Sequence, residues 1–168
     1  MTPENIDLTP ENLLSHAHPM ILIDAVESYG EDFAVALVTP AIGKPFADSE
    51  GNVPAWVGME YMAQSIGIYA GIRAQLEGQP VRVGFLLGTR SYEVETEQFC
   101  SGLTYAVQVQ KIFEDGSLSA FECTIYRHQR IHRAQNDGQD HAEPCLARAV
   151  INTFQPDNID EFMEGTSR

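Results

Sequence analysis

The distribution of apolar residues along the chain predicts one long helix and several short strands. Apolar residues dominate from Ala55 to Leu76 without an internal proline, and Gly78 and Pro80 follow this stretch. Glycine and proline commonly lie just beyond the end of a helix. The stretch therefore predicts a helix of about twenty residues, which would be roughly 30 Å long.

The other apolar runs are short and are separated by residues that favour turns, which is typical of strands. Met20–Val26 and Phe33–Val38 flank the turn sequence Tyr29–Asp32 and predict a β-hairpin before the long helix. The strands expected after the helix are Val83–Leu87, Tyr92–Glu95, Leu103–Phe113, Leu118–Tyr126 and Ala147–Phe154. The sequence Glu114–Ser117 predicts a hairpin turn between the third and the fourth of these.

This order of elements predicts an α+β domain in which an antiparallel sheet wraps around a single central helix. A chain of 168 residues can bury a substantial core, and we expect one domain over residues 1–168. Its core should lie at about 13–154, with a polar surface loop at 127–145 and a C-terminal tail at 155–168. Thr9 and Pro10 predict a short helical turn that ends near Leu14.

The net negative charge of the chain restricts the kinds of binding partner that we expect. The chain carries 24 acidic against 10 basic side chains, a formal net charge of −14. Nucleic acids and anionic membrane surfaces attract basic proteins, so we expect neither as a partner. No apolar run reaches the roughly 18 residues of a membrane span, and residues 1–12 lack the features of a signal peptide. The three cysteines form no CxxC pair, and we expect a cytoplasmic protein without disulfides.

One carboxylate lies inside the apolar helix. Glu60 is followed four residues later by Gln64, so one turn of helix places both on the same face. A buried carboxylate is costly unless it is paired, protonated or directed into a cavity where it performs chemistry. The alternative to a catalytic role is a structural one, in which a partner such as Arg90 or a backbone N–H satisfies the carboxylate.

Three stretches of the sequence match motifs of a known family. Leu14–Asp24 is similar to the opening Leu-Pro-His-x-x-Pro-Phe-Leu-Leu-Val-Asp of that family, and Pro54–Gln64 to its helix start, Pro-Gly-x-x-x-x-Glu-Ala-Met-Ala-Gln. Gly84–Gly88 is similar to the strand after its helix. The sequence thus resembles the hotdog fold and, within it, the 3-hydroxyacyl-acyl carrier protein dehydratases, in particular the divergent branch found in aryl polyene biosynthesis clusters.

This resemblance implies roles for several residues. Glu60 would be the catalytic carboxylate, and Gln64 would orient it or the substrate. The backbone N–H of Ala55 or Trp56 would polarise the thioester carbonyl, because free N–H groups at a helix start favour a developing negative charge. Met59 belongs to an apolar stripe that either packs in the core or lines the acyl tunnel of this fold.

The sequence departs from the family at the catalytic histidine. The family carries this residue in a Gly-His-Phe-Pro loop before the glutamate, and Phe46 occupies the position here. Dehydration requires a base for the α-proton and an acid for the leaving hydroxyl, roles that suit a histidine and a protonated carboxyl group. His16 and His18 lie in a matching motif and would point to the same side of an extended segment. We favour His16, which aligns with the opening histidine of the family.

The resemblance also implies a reaction and partners. The expected enzyme removes water from 3-hydroxyacyl thioesters on acyl carrier protein, and no nucleotide, flavin or metal motif indicates a cofactor. Relatives are dimers, so we expect a homodimer or a heterodimer with a sister hotdog subunit. An acidic carrier protein would need local basic side chains to dock. The arginines available for docking are Arg73, Arg82, Arg90, Arg127, Arg130 and Arg133.

Two other functions are compatible with the same residues. In a thioesterase of this fold, Glu60 would activate water to attack the thioester. A non-catalytic subunit that positions an active partner would not need the loop histidine at all. His128, His132, His141 and Cys145 fit no zinc-ligand spacing and predict a solvated loop instead of a metal site.

Overall fold

The computed structural model describes residues 6–129 and 144–165. The helices in these ranges are α1 (Pro10–Leu13), α2 (Gly58–Leu76) and α3 (Ile159–Gly165). The strands are β1 (Ala25–Tyr29), β2 (Phe33–Val38), β3 (Val53–Pro54), β4 (Phe85–Val94), β5 (Gln98–Phe99), β6 (Tyr105–Asp115), β7 (Leu118–Arg127) and β8 (Cys145–Phe154).

Six of these strands form one antiparallel sheet, in the order β1-β2-β6-β7-β8-β4, while β3 and β5 pair separately. Helix α2 packs across one face of the large sheet, chiefly on β2 and β6. The core between them is apolar. It includes Met62, Ile68 and Ile72 of the helix and Ala36, Val107, Ile125 and Ile151 of the sheet, all fully buried or nearly so. The α+β fold predicted from the sequence, with one long helix on an antiparallel sheet, is confirmed.

Two strand predictions need correction. Met20–Val26 is not a strand along its length, because β1 begins only at Ala25. The segments Val83–Leu87 and Tyr92–Glu95 contribute to one strand, β4, which continues between them because Gly88 and Thr89 also pair with β8, before an irregularity between Thr89 and Tyr92. Phe33–Val38 has the predicted bounds.

The long helix begins with a tighter turn than predicted. Ala55–Val57 forms a 3-10 turn, and α2 continues from Gly58 to Leu76. Helix α1 crosses α2 so closely that a Cβ atom at Gly71 would overlap the backbone carbonyl of Leu13. This glycine therefore sets the distance between the two helices.

Most of the predicted polar loop at 127–145 cannot be compared with the structure. Arg130, His132, Arg133 and His141 lie outside the described residues. His128 is described, and its ring pairs with Glu27 across a Nε2–Oε1 distance of 2.5 Å. The described residues contain no group of three metal-ligating side chains and no helix with the length and hydropathy to span a membrane.

Candidate active site

Gln64 connects the predicted carboxylate to the segment before β1. Its side chain is fully buried. Its Oε1 accepts a hydrogen bond from the Leu22 N–H at 2.8 Å, and its Nε2 donates to the Met20 carbonyl at 2.8 Å and to Glu60 Oε1 at 2.9 Å. Gln64 thus fixes both the chain at 20–22 and the orientation of Glu60, because both of its N–H donors and its carbonyl oxygen are engaged.

Glu60 faces one of the two candidate histidines. The distance from His16 Nε2 to Glu60 Oε1 is 3.8 Å, and the two side chains are 39% and 40% exposed. At this separation the two groups are close neighbours but do not form a hydrogen bond. The expectation of a buried carboxylate was wrong for this chain, because Glu60 lines an open groove, although Tyr61 and Met62 beside it on α2 are buried. The result is an imidazole beside a carboxylate in an open position.

His18 lies in a different environment. Its Nε2 lies 2.8 Å from Glu11 Oε1, and the side chain is exposed. The chain turns between the two histidines, and the Met20 N–H donates to the Ala17 carbonyl at 2.9 Å. The prediction that His16 and His18 point to the same side was wrong, because it assumed an extended segment. His16 alone of the two is paired with Glu60.

The helix start offers one of the two predicted backbone donors. The N–H of Ala55 already donates to the Glu97 carbonyl at 3.1 Å, so the prediction that it polarises a substrate carbonyl is corrected. The Trp56 N–H is among the first of the helical segment, and such groups have no partner within the helix. The carbonyl of Ala55 accepts a 2.6 Å hydrogen bond from the hydroxyl of Tyr92, which ties β4 to the helix start.

Phe46, at the position of the family's histidine, packs on the helix start. Its ring meets that of Trp56 edge to face, with centroids 5.7 Å apart and an interplanar angle of 80°. The backbone of Phe46 has φ of +65°, which is uncommon for a bulky residue. Lys44 anchors this loop, because its Nζ contacts Asp24 Oδ1 at 2.6 Å and the Thr39 carbonyl at 2.7 Å. The sequence did not predict this aromatic pair, because Phe46 and Trp56 lie in different segments and no helical or strand periodicity relates them.

A groove of about 500 Å³ begins at His16 and Glu60 and follows α2. This volume is typical of small-molecule sites. Small residues of the helix line it, namely Ala63, Gly67, Ala70 and Ala74, and the start of β4 faces them. Met59 packs against the hydrophobic core and does not line this groove, so of the two places that the sequence left open for it the structure shows the core, and its assignment to substrate binding is corrected.

The far end of the groove is charged. Lys111 lies there, with Nζ 3.3 Å from Asp32 and 2.5 Å from Glu114, and 5.9 Å from the centre of the Tyr69 ring. The hydrogen bond that Lys111 donates to Glu114 is the main reason that the pKa of Lys111 lies above its usual range. Near the helix start, burial raises the pKa of Tyr92 to about 12, so its hydroxyl remains a donor at neutral pH.

Solved structures with the same architecture identify the fold of this chain. The chain is similar to a chain of the dehydratase heterocomplex ApeI:P from Xenorhabdus doucetiae, with TM-score 0.81 and 24% identity, covering 97% of this chain and 100% of that one. It is more distantly similar to a hypothetical thioesterase with coenzyme A from Streptococcus pneumoniae TIGR4, with TM-score 0.54 and 9% identity over 78% of this chain and 84% of that one. The PaaI protein of E. coli gives TM-score 0.51 and 9% identity over 77% and 80%. The chain is a hotdog-fold protein.

The sequence gives the family within that class. Residues 8–164 match the model of the ApeP-like family, described as ApeP dehydratase, and the chain belongs to this family. The predicted resemblance to the aryl polyene branch of the dehydratases is confirmed, and with it the enzyme class, a lyase that removes water. No curated protein matches the sequence.

Proposed function

We propose that this dehydratase removes water from 3-hydroxyacyl thioesters carried by acyl carrier protein, with Glu60 and His16 as its proton-transfer pair. The observation that carries the proposal is their juxtaposition at the mouth of the groove. Glu60 is held by the buried Gln64 at 2.9 Å and faces His16 at 3.8 Å. Within the described residues, His16 is the histidine that the structure pairs with this carboxylate.

The two groups fit the two proton transfers of the elimination. The neutral imidazole of His16 takes the α-proton of the thioester, and the C–H electron pair forms the new C=C bond. Protonated Glu60 gives its proton to the 3-hydroxyl, whose C–O bond breaks to release water. The Trp56 N–H is the donor available for the thioester carbonyl, where negative charge develops in the transition state. Gln64 holds Glu60 and does not itself transfer a proton.

The groove fits a long acyl chain. From Glu60 to Arg73 it follows α2 for roughly 20 Å, at 1.5 Å per residue. Alanine and glycine on the helix side leave space for a straight chain, and Phe85 and Leu86 of β4 supply an apolar wall. We therefore propose acyl chains of the fatty acid or aryl polyene type, bound with the thioester at the Glu60 end.

The exposure of Glu60 supports a second hotdog subunit, since a carboxyl group that must stay protonated works best away from water. A heterodimer with a sister subunit is the form that we propose, by analogy with the ApeI:P heterocomplex. All three cysteines are free, which fits a reducing cytoplasm.

Not all of the candidate arginines are available to bind an acidic carrier protein, because some already form ion pairs within the chain. Arg73 is paired with Glu77 and Arg82 with Asp157, each at 3.2 Å. Among the candidate arginines that the structure describes, we therefore assign docking to the exposed Arg90 and Arg127. Replacing both by glutamate should weaken carrier-protein binding at low salt and leave hydrolysis-stable small thioester analogues bound as before. Unchanged affinity for the carrier protein would contradict the assignment.

Mass spectrometry of a 3-hydroxyacyl carrier protein tests the reaction directly. The wild-type chain, alone and with a hotdog partner, is compared with the variants Glu60→Ala, His16→Ala and His18→Ala. Loss of one water is expected for the wild type and for His18→Ala, and not for the other two. A freed carrier thiol without loss of water would identify a thioesterase instead. Loss of water in every sample that contains the partner, including Glu60→Ala and His16→Ala, and in no sample of the chain alone would identify a non-catalytic subunit.

A further inference from the structure

The groove extends from Glu60 in one direction along α2. The residues of this helix that line it are Glu60 itself and residues closer to the C-terminal end of the helix. A thioester bound at Glu60 with its acyl chain in the groove therefore directs its other substituent, the arm that links the sulfur to the carrier protein, towards the helix start. That direction leads to Trp56, which precedes Glu60 by four residues, about one turn of helix.

The indole ring of Trp56 is an exposed apolar surface at this end of the site. Trp56 is 64% exposed. Because helical side chains tilt towards the N-terminus of their helix, the ring lies on the side of Glu60 that faces away from the groove. An aromatic ring in water lacks the stabilisation that burial of its apolar area would give, and grouped exposed apolar side chains commonly mark binding sites.

Phe46 holds this ring from one side. The two rings meet edge to face, with centroids 5.7 Å apart. The φ of +65° at Phe46 is unfavourable for a bulky residue, and such a conformation persists only where the surrounding structure holds it. Here Lys44, two residues earlier, is bound to Asp24 and to the Thr39 carbonyl. The loop thus keeps a strained residue in place against Trp56, and most of the indole stays accessible.

The chemistry of the carrier arm suits such a surface. A pantetheine arm consists of methylene groups, amide groups and a carbon with two methyl substituents, and it is uncharged up to its terminal phosphate. Its methyl and methylene groups bury apolar area on an indole ring, and its planar amides stack on the ring face. In the proposed function the Trp56 N–H also binds the thioester carbonyl, so the sulfur and the first part of the arm lie next to the same residue.

We propose that the ring of Trp56, positioned by Phe46, binds the pantetheine arm of the substrate beside the sulfur, and that the site thereby selects thioesters with a full arm over shorter ones. The inference rests on the proposed function, which locates the thioester at Glu60. Trp56 is then a substrate-binding residue through its side chain. Phe46 is a positioning residue, at the loop position where the family has a histidine.

The test uses fluorescence, because Trp56 is the single tryptophan of the chain and its emission reports on this ring. The probes are two 3-hydroxyacyl amides with the same acyl group, in which N–H replaces the thioester sulfur. One carries the full pantetheine arm and the other only its cysteamine end. Calorimetry gives both affinities, for the chain alone and with a hotdog partner. The full-arm probe should change the emission of the wild-type chain and bind about fivefold more tightly, because contact with the ring buries additional apolar area.

Three variants separate the aromatic pair from the rest of the surface. Phe46→Ala should reduce the preference for the full arm to about twofold or less, since the Trp56 ring loses its support. Phe46→Tyr retains the aromatic contact and should keep the preference. Phe113→Ala is the matched control and should also keep it, because Phe113 is 54% exposed but lies beside the turn between β6 and β7.

Four results would overturn the inference: equal affinities of the two probes for the wild type, binding that leaves the emission unchanged, no binding of either probe with or without the partner, or a wild-type preference in Phe46→Ala. A Trp56→Ala chain that loses the hotdog partner but keeps the preference would identify a subunit contact instead. A full-arm preference without loss of water from a 3-hydroxyacyl carrier protein would contradict the proposed function and leave the arm site standing. Loss of water with equal affinities would do the opposite.

Discussion

The amide of Gln64 donates a 2.9 Å hydrogen bond to the carboxylate of Glu60, one helical turn before it on α2. Because Gln64 is fully buried and also binds the backbone of Met20 and Leu22, the position of the carboxylate is set by the core and not by the surface. A half-exposed glutamate would otherwise sample several rotamers. The site thus combines an accessible reactive group with a rigid support.

Replacing Gln64 by leucine should destabilise the fold and reduce activity together. Leucine has a similar size but leaves the Leu22 N–H, the Met20 carbonyl and Glu60 without their partner. We expect a loss of about 2–3 kcal/mol in the free energy of unfolding, since each unsatisfied buried group costs about 1–3 kcal/mol and the chain relaxes in part. Urea denaturation of Gln64→Leu measures it. Gln79→Leu, at an exposed position, is the control and should change stability by less than about 0.5 kcal/mol.

A histidine at the family's loop position should not replace His16. Phe46 packs on Trp56, and Glu60 is instead paired with His16. His16→Ala should lower the dehydration rate by about 10²–10⁴, the usual contribution of a general base, and the double variant with Phe46→His should stay equally slow. Single-turnover rates with a 3-hydroxyacyl carrier protein decide the question. Recovery of activity in the double variant would show that the loop is within reach of the substrate.

The crossing of α1 and α2 should make one glycine irreplaceable. Alanine normally stabilises a helix interior by about 0.5–1 kcal/mol relative to glycine. At Gly71 the added Cβ would overlap the Leu13 carbonyl, so we expect Gly71→Ala to lose about 2 kcal/mol or more. At Gly67 the new Cβ would lie 2.8 Å from the movable end of the Leu14 side chain, and Gly67→Ala should be nearly neutral. Thermal unfolding of the two variants compares them directly, and equal melting temperatures would contradict the argument.

Tyr92 should contribute to unfolding at alkaline pH. Burial raises its pKa to about 12 from an ordinary value of 10.0. Between these values the folded chain keeps the proton and the unfolded chain releases it, so stability falls as pH rises above about 10. In Tyr92→Phe this fall should be shallower. Below pH 9 the variant should instead show a constant loss of about 1 kcal/mol, for the missing hydrogen bond to Ala55. Parallel stability curves from pH 9 to pH 12 would contradict the assignment.

Local periodicity was sufficient for much of the fold and for part of the site. The proline-free apolar stretch identified the long helix, and alternation with turn residues identified most of the strands, because both patterns depend on neighbours in sequence. The pairing of Glu60 with Gln64 followed in the same way, since four residues make one helical turn. The motifs around His16 and Glu60 also identified the family.

Only the tertiary structure decided the features that join distant parts of the chain. A turn after Ala17 directs His16, and not His18, towards Glu60, and the Glu97 carbonyl occupies the N–H of Ala55. The sequence likewise did not predict that β4 lies at the edge of the sheet or that Glu60 is about half exposed. The physical reason is the same in each case. These features depend on residues that are far apart in sequence, and packing and hydrogen bonding in three dimensions determine them, not any spacing along the chain.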